Sequence, residues 1–586
     1  MLAEHADSAA TAENSRPSAW AERTTRAALP IVRPVASQSN LPQRRSLVTQ
    51  VPTTSQPSPE DVLRQIPDPT EVRALFAARL KELEREAARR DEQRVVSNYR
   101  RMVDEAERLL AELSRPDPIR LSLAECIQRA IEHSYAIRIE AYNPAISQTQ
   151  LVEAEAAFDA VFFLDSAWQN LDAATPPSQL AAGQSDIRSI SGGIRKLLPT
   201  GMQVSTVLSQ NRRKTDLSFQ TLNPAYSSSF TATITQPLLR GFGLDYNRSQ
   251  VNIQRAQLEI AREIFLQRVR DTLQQVEQAY WRLAQARRSV SIFAASTAQN
   301  FITYENMKGR LGHDATPVEV ANSESRWRNS RVTFLETIKN VRDAEDVLKL
   351  LMNDPELLLS RDIELIPTAA PVAVPFALDH FAEVRAALDA RSEIRQARAT
   401  IEQTRIQTAA AKNQSMPQLD LNFNYEVQGI GSSADASFDN LTTNRFRSFT
   451  VSVNFSYPFG NRARRAAYRR AQLQESQAVV GLNQVTDGVV QEVNNAIRTL
   501  QVRYSQISPQ FQAVLAAARN LRALQARTQA INPNYLETEL SGVEQLANGR
   551  NRLLQVITDY NVGVVDLERA KGTLLQYNNV VVTDQP

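Results

Sequence analysis

The chain has 586 residues and a single cysteine, with 67 lysines and arginines against 64 aspartates and glutamates. A net charge of +3 on so long a chain gives no argument for nucleic-acid binding, and one cysteine excludes an internal disulfide or a multi-cysteine zinc site. No stretch approaches the roughly 18 to 20 apolar residues of a membrane-spanning helix, which excludes a polytopic helical membrane protein.

The N-terminal fifth of the chain carries little of a globular pattern. Residues 1–60 hold seven prolines and no periodic apolar positions, so they are predicted to be disordered. They begin without the basic start and apolar core of a signal peptide, which argues against export. Residues 61–118 are charge-dense and predict an exposed helical extension that stops at Ser-Arg-Pro-Asp-Pro, residues 114–118.

Long helices are the next predicted elements. Glycine and proline are absent from 245–308, and Leu258, Ala261 and Phe265 begin an apolar series spaced by three and four residues. One helix over these residues would be roughly 95 Å long at about 1.5 Å per residue. A narrow apolar stripe on such a helix predicts coiled-coil packing. Similar helices are predicted at 318–354, 461–530 and 543–577.

The predicted strands alternate apolar and polar residues. The pattern is clearest at 418–428 and 449–457, shorter at 230–235, and weaker near 161–169, 188–197 and 201–210. Such strands suit a half-buried sheet of a soluble protein or a barrel with lipid outside and water inside, and the strands alone do not decide between the two. One chain supplies four to six strands. A closed membrane barrel needs at least about eight, so several chains would have to share it.

The chain also repeats itself. The segment IQRAIEHSYAIR at 127–138 parallels VRAALDARSEIR at 384–395, and in each half a helix, strands, a long helix, a turn and a helix follow in order. The predicted organisation is a disordered segment (1–60), a helical extension (61–118), a first repeat (119–354, with strands at 161–239), a proline-rich linker (355–375), a second repeat (376–577, with strands at 418–457) and a tail (578–586).

Four segments together resemble the TolC-like outer-membrane efflux proteins. They are LSLAECIQRAIEHSYAIR at 121–138, QPLLRGFG at 236–243, GRLGHDATPVEVANSE at 309–324 and YNVGVVDLERAKGTLL at 560–575. The resemblance covers about residues 120–577. It implies an α+β membrane protein with two structural repeats, in which a homotrimer builds a long α-helical barrel and one shared transmembrane β-barrel. Four strands per protomer are expected, and six are the alternative, giving twelve or eighteen in the trimer.

The resemblance also implies the function. Such proteins are passive outer-membrane exit ducts of tripartite efflux pumps or type I secretion systems. Their partners are a periplasmic adaptor, an inner-membrane transporter and the outer-membrane lipid. A soluble coiled-coil scaffold or adaptor with small antiparallel sheets is the alternative, and the missing signal peptide favours it.

Site residues follow from the resemblance and from position in the chain. Adaptor-docking tips are implied at Arg310, Leu311, Gly312, Thr316, Val318, Glu319, Thr538, Ser541, Gly542, Val543 and Glu544. Acidic candidates for the periplasmic entrance are Glu537, Glu539 and Glu544, where a threefold carboxylate ring would favour cations. Candidates for the membrane interface, just after the last strand, are Tyr457, Phe459, Arg462, Arg464 and Arg465.

Enzyme signals are missing from the sequence. The four histidines lack the spacing of a zinc protease, and neither a nucleophile elbow nor a phosphate-binding loop is present. We therefore expect no catalytic residue, metal or cofactor.

Overall fold

The computed structural model describes residues 31–34, 66–90, 93–172, 183–217, 220–376, 378–526 and 533–583. Its helices are, in chain order, α1 (Val72–Arg90), α2 (Gln93–Ala111), α3 (Leu123–His133), α4 (Tyr135–Glu155), α5 (Leu244–Asn247), α6 (Ser249–Lys308), α7 (Pro317–Met352), α8 (His380–Ala390), α9 (Ser392–Gln414), α10 (Ala434–Thr442), α11 (Arg462–Ala526), α12 (Pro533–Lys571) and α13 (Leu574–Tyr577). Its strands are β1 (Ile31–Pro34), β2 (Pro118–Leu121), β3 (Val161–Asp172), β4 (Gln184–Leu197), β5 (Gln203–Thr215), β6 (Ala225–Pro237), β7 (Glu364–Pro367), β8 (Gln418–Gly431), β9 (Phe446–Ser456) and β10 (Val580–Thr583). No described helix combines the length and the apolar character that crossing a membrane requires.

The described residues divide into two compact units. The first comprises Asn143–Arg262 and Arg395–Asn483 and contains a six-stranded sheet. The second comprises Glu263–Ile394 with the described parts of 30–142 and 484–586, and is helical apart from two small two-stranded sheets. The boundaries between the units fall within α4, α6, α9 and α11.

The six-stranded sheet has the order β3-β4-β5-β6-β8-β9, and every neighbouring pair is antiparallel. The prediction of four strands per protomer is therefore wrong, and the alternative of six strands is observed. β4 and β5 form the additional pair that flanks the turn at Gly201. Their alternation is weak in the sequence because Gly192 and Gly193 take the place of larger side chains on both faces of β4.

Two helices are several times longer than an ordinary globular helix. α6 has 60 residues and α11 has 65, which corresponds to roughly 90 and 98 Å. In α6, the side chains of Phe265, Val269 and Leu273 are all nearly inaccessible to solvent and pack with Ile127 and Ile131 of α3. The predicted apolar stripe of α6 is thus a buried seam.

The charged N-terminal extension is not the exposed helix that the sequence predicts. It folds into two helices, α1 and α2, which contact each other and the rest of the second unit. Ala106, Leu109 and Leu113 of this segment are buried in one apolar cluster with Val276 and Tyr280 of α6. The apolar positions were too sparse among the charges to predict burial, because their partners lie more than 150 residues further along the chain.

A buried ion network attaches this extension to the rest of the second unit. The guanidinium of Arg287 is fully buried and donates two hydrogen bonds to Asp68, at 2.8 and 3.1 Å, and one to Glu364 at 2.8 Å. Burial alone would raise the pKa of Asp68, but Arg287 outweighs it and holds that pKa below its ordinary value. Arg115 binds Glu345, a buried carboxylate of α7.

Three segments predicted to lack structure contain strands. Ile31–Pro34 pairs antiparallel with Val580–Thr583, within the predicted disordered segment and the predicted tail. Glu364–Pro367 pairs in parallel with Pro118–Leu121, within the predicted linker. Each pairing joins residues more than 240 positions apart, so local composition could not reveal it. The other residues of 1–65 lie outside the described part of the chain.

Replacing Arg287 tests the network. In Arg287→Met the carboxylates of Asp68 and Glu364 stay buried without their cation, and we expect the free energy of unfolding to fall by about 3 to 5 kcal/mol. Denaturant unfolding measures this loss, and limited proteolysis should then cut near α1 and α2. Arg73→Met is the control, because its exposed pair with Glu107 lies between α1 and α2. Equal behaviour of the two variants would contradict the assigned role of Arg287.

Candidate functional site

The first predicted tip is the turn between α6 and α7, residues 309–316. Arg310 and Asp314 form an ion pair across it, with 2.9 Å between Nε and Oδ1. The backbone amides of His313, Asp314 and Ala315 all donate to the carbonyl oxygen of Arg310. These bonds close the turn on itself and leave the side chain of Leu311 about half exposed.

Gly312 is at the apex of this turn. Its φ of +88° is a conformation that a residue with a Cβ adopts only at a cost, and no atom lies within 4 Å of the position that a Cβ would occupy. Glycine is therefore required here by the backbone and not by close packing. The apex is open to a partner.

The start of α7 is fixed by a capping box. The amide of Glu319 donates to Oγ1 of Thr316 at 3.3 Å, and the amide of Thr316 donates back to Oε2 of Glu319 at 2.8 Å. Both residues were predicted to dock an adaptor, but their polar atoms are engaged in the cap. Val318, in the first turn of α7, is 69% exposed. Leu311 and Val318 are therefore large apolar side chains that this tip exposes to solvent.

The second predicted tip is displaced from a turn into a helix. α12 begins at Pro533, ten residues before the predicted start, so Thr538, Ser541 and Glu544 lie in its early turns. Proline suits the first position of a helix, because its missing amide proton would have had no partner there. The residues that join α11 to α12, 527–532, lie outside the described part of the chain.

Two residues of this second group are packing residues. Gly542 is buried against α11, where a Cβ would lie at an ordinary contact distance of 3.4 Å from methyl groups of Leu521 and Leu524. Val543 is only 6% exposed. Neither residue is presented to solvent in the protomer, whereas Thr538 is exposed.

The three acidic candidates for the entrance are all on α12. Glu537 accepts a hydrogen bond from Asn322 of α7 at 3.1 Å, and Glu544 lies 3.6 Å from the guanidinium of Arg326. Glu539 accepts from Gln525 of α11 at 3.3 Å, and burial raises its pKa above the ordinary value. Glu537 and Glu544 therefore contact α7, whereas Glu539 contacts α11.

The six-stranded sheet has one exposed apolar face. Residues directly opposite each other on neighbouring strands point to the same side of a sheet. We therefore define the apolar face as the side that carries Phe162 and its partners across the six strands. Its large side chains are Phe162, Leu164, Ile190, Ile194, Leu208, Phe230, Ile234, Leu421, Phe423, Phe449, Val451, Val453 and Phe455. Phe449 is 75% exposed, and most of the other side chains in this set are exposed as well. This is far more apolar surface than a soluble monomer shows.

The other face of the sheet is polar. It carries hydroxyl and amide side chains that bond across the strands, such as Ser209 to Ser229 at 2.7 Å and Thr235 to Asn422 at 2.9 Å. One face therefore suits water and the opposite face suits an apolar medium. The sequence indicates this division of faces for β8 and β9. For β3 the division is unclear in the sequence, because Phe162, Leu164 and Trp168 alternate but the neighbouring Phe163 breaks the pattern.

The membrane-interface candidates follow β9. Phe459 is fully exposed and Tyr457 about one third exposed, between the sheet and the start of α11. Arg462 and Arg465 are exposed on the first turn of α11, and Arg464 is half-buried. These residues therefore lie together at the end of the sheet that joins the helices. Among the described residues, no three histidine, cysteine or carboxylate side chains are grouped so that they could hold a metal ion.

Comparison with solved structures shows the fold class. The outer-membrane channel OprN matches with a TM-score of 0.58 at 14% identity, over 77% of this chain and 90% of that one. The Campylobacter jejuni CmeC outer membrane channel gives 0.58 at 13% identity, over 77% and 86%. The outer membrane protein VceC from Vibrio cholerae gives 0.56 at 16% identity, over 77% and 96%. The fold is that of the outer-membrane channels with a helical tunnel and a sheet.

Part of the sequence matches a family model. Residues 384–573 match the sequence model of the family described as outer membrane efflux protein. The predicted resemblance to the TolC-like outer-membrane efflux proteins is therefore confirmed, and these residues are the part that the family model covers. Comparison with curated proteins by sequence gives no match.

Removing the cap of α7 tests the geometry of the first tip. In Thr316→Ala the amide of Glu319 loses its acceptor, at a cost of about 1 kcal/mol, so its hydrogen exchange should become about fivefold faster. Exchange detected by mass spectrometry on peptides covering 309–325 measures the effect. Thr333→Ala is the matched control, because its hydroxyl bonds within the middle of α7. Unchanged exchange in Thr316→Ala would show that the cap does not hold this end.

Proposed function

We propose that the protein is a trimeric outer-membrane exit duct. The observation that carries the proposal is the sheet, whose exposed apolar face extends over six strands with a polar face behind it. In a bilayer, lipid would cover the apolar face and water the polar face. The rival function, a soluble coiled-coil scaffold, would leave this apolar face in water.

The open edges of the sheet support the trimer. Six strands are fewer than the roughly eight that close the smallest membrane barrels, and unpaired backbone groups are not tolerated in lipid. If β3 of one protomer pairs with β9 of the next, three protomers close one barrel of six strands each, eighteen in all. The homotrimer of this family thus explains both edges.

The helices supply the tunnel and the contacts with partners. We propose that the long helices α6, α7, α11 and α12 line a passive duct through the periplasm, and that the first tip docks a periplasmic adaptor through Leu311 and Val318. Exposed apolar side chains beside the Arg310–Asp314 pair suit a helical hairpin of a partner, with the charges fixing the register. An inner-membrane transporter of an efflux pump or a type I secretion system would then supply the energy.

Electrical recording tests the duct. We expect the detergent-extracted protein to have the mass of a trimer and to give discrete current steps in a planar lipid bilayer. A protein that remains soluble without detergent and gives no conductance would exclude the duct and favour the scaffold.

Charge substitution tests the proposed entrance. We expect the double variant Glu537→Gln/Glu544→Gln to lose cation preference in the reversal potential under a salt gradient, because a threefold set of carboxylates is removed while Arg326 remains. Glu336→Gln is the control, since Glu336 is an exposed carboxylate in the middle of α7. If the selectivity of the double variant equals that of wild type, the acidic ring does not line the entrance.

A further inference from the structure

The apolar face of the sheet ends in arginines at one end. We call this the distal end: β3, β5 and β8 end there and β4, β6 and β9 begin there, and it is opposite the end that leads to α5 and α11. Towards it, Arg188 follows Ile190 on the apolar face of β4, Gln210 and then Arg212 follow Leu208 on β5, and Arg447 comes beyond Phe449 on β9. All three arginines are on the apolar face by register, so cations border the apolar face on three strands.

Two of these arginines belong to a continuous row across four strands. Trp168, Arg188, Arg212 and Tyr226 are directly opposite one another in the register of β3, β4, β5 and β6. The guanidinium of Arg188 lies over the ring of Trp168, 5.5 Å from its centroid, and Trp168 is 70% exposed. The row therefore alternates from aromatic to cationic and back to aromatic, at the border of the apolar face.

The charges of the row are incompletely balanced. Arg188 and Arg212 are adjacent like charges, and both contact the carboxylate of Asp186, at 3.4 and 3.2 Å. Lys214 is opposite Asp186 in the register, which adds a third cation. Asp172 and Asp216 lie one row beyond Asp186 and Lys214, two rows from the arginines. Within the row itself, two guanidinium groups share the single carboxylate of Asp186, so N–H groups of both arginines remain for an added anion.

We propose that this row binds the phosphate groups of an anionic lipid headgroup in the outer leaflet. The proposal rests on the function proposed above, in which lipid covers the apolar face. Arginine matches phosphate oxygens with paired hydrogen bonds, and an indole ring suits the boundary between headgroups and acyl chains. Acyl chains would then lie along Ile190, the next residue of this face after Arg188, and further along Leu208 and Ile194. This placement favours a lipid over a free phosphate ion, which would gain nothing from the apolar face.

The test uses the whole protein in detergent micelles and counts bound lipids by native mass spectrometry. The probe is lipid A with both phosphates, compared with the same lipid after enzymatic dephosphorylation and with inorganic phosphate. The variant is Arg188→Gln/Arg212→Gln. The matched control is Arg213→Gln, because Arg213 is the next residue in the chain and points to the polar face. A second variant, Arg188→Lys/Arg212→Lys, keeps the charge and loses the paired hydrogen bonds.

We expect wild type and Arg213→Gln to bind the phosphorylated lipid equally. The Gln/Gln variant should bind it about 25-fold more weakly, about fivefold for each arginine, with the Lys/Lys variant in between. Equal binding by wild type and the Gln/Gln variant would overturn the proposal, as would equal binding of phosphorylated and dephosphorylated lipid. Displacement by inorganic phosphate at the lipid's own concentration would identify a free-anion site and overturn the lipid site.

A second experiment, in lipid bilayers, distinguishes failure of the lipid site from failure of the exit-duct function on which it rests. All variants are reconstituted into phosphatidylcholine bilayers and their conductance is recorded. Conductance without preference for the phosphorylated lipid removes the lipid site alone. Absence of conductance and of insertion in wild type removes the duct, and the lipid site with it.

Discussion

Period-two alternation is the constraint on which the sheet depends. Each strand sends successive side chains to opposite faces, so a slip of one residue between any two strands would move an entire apolar set to the wrong side. The register holds across all five pairings, from Phe162 opposite Ile194 to Phe423 opposite Val451. α10 adds to this order. It lies so close to β8 that a Cβ on Gly429 would be 2.1 Å from the carbonyl oxygen of Ser437, so β8 admits only glycine at this position.

The sequence predicts the elements whose pattern is local. Alternation over 418–428 and 449–457 indicates β8 and β9, and a breaker-free apolar stripe indicates α6, because each pattern is complete within one segment. β4 and β5 are harder to predict, since glycines, serines and arginines occupy positions of the apolar face. Only the partner strands show to which face those positions belong. The arginine row was missed for the same reason, as it exists across four strands and not along any one of them.

Pairings between distant residues explain the remaining errors. Asp68 and Arg287 are 219 residues apart, and neither shows in the sequence that the other will neutralise it. The second tip is misplaced because Gly542 falls just before the predicted helix start at 543. Glycine occurs in the turns between helices and also inside helices that contact a neighbour, and composition does not separate the two. Gly312 has a positive φ in the turn after α6, whereas Gly542 lies inside α12 and faces Leu521 and Leu524 of α11.

The two outer strands of the sheet bear on how the protein is made. In the described sheet β3 and β9 each have one neighbouring strand, and they expose 12 and 11 residues of backbone along their other edges. Free edges of this length, beside exposed phenylalanines, are templates for misdirected pairing while the chain is still in water. If three protomers share one barrel as proposed above, these edges would stay uncovered until the subunits meet. Membrane insertion and subunit assembly would then be a single step of biogenesis, and an excess of lone protomers would be prone to aggregate.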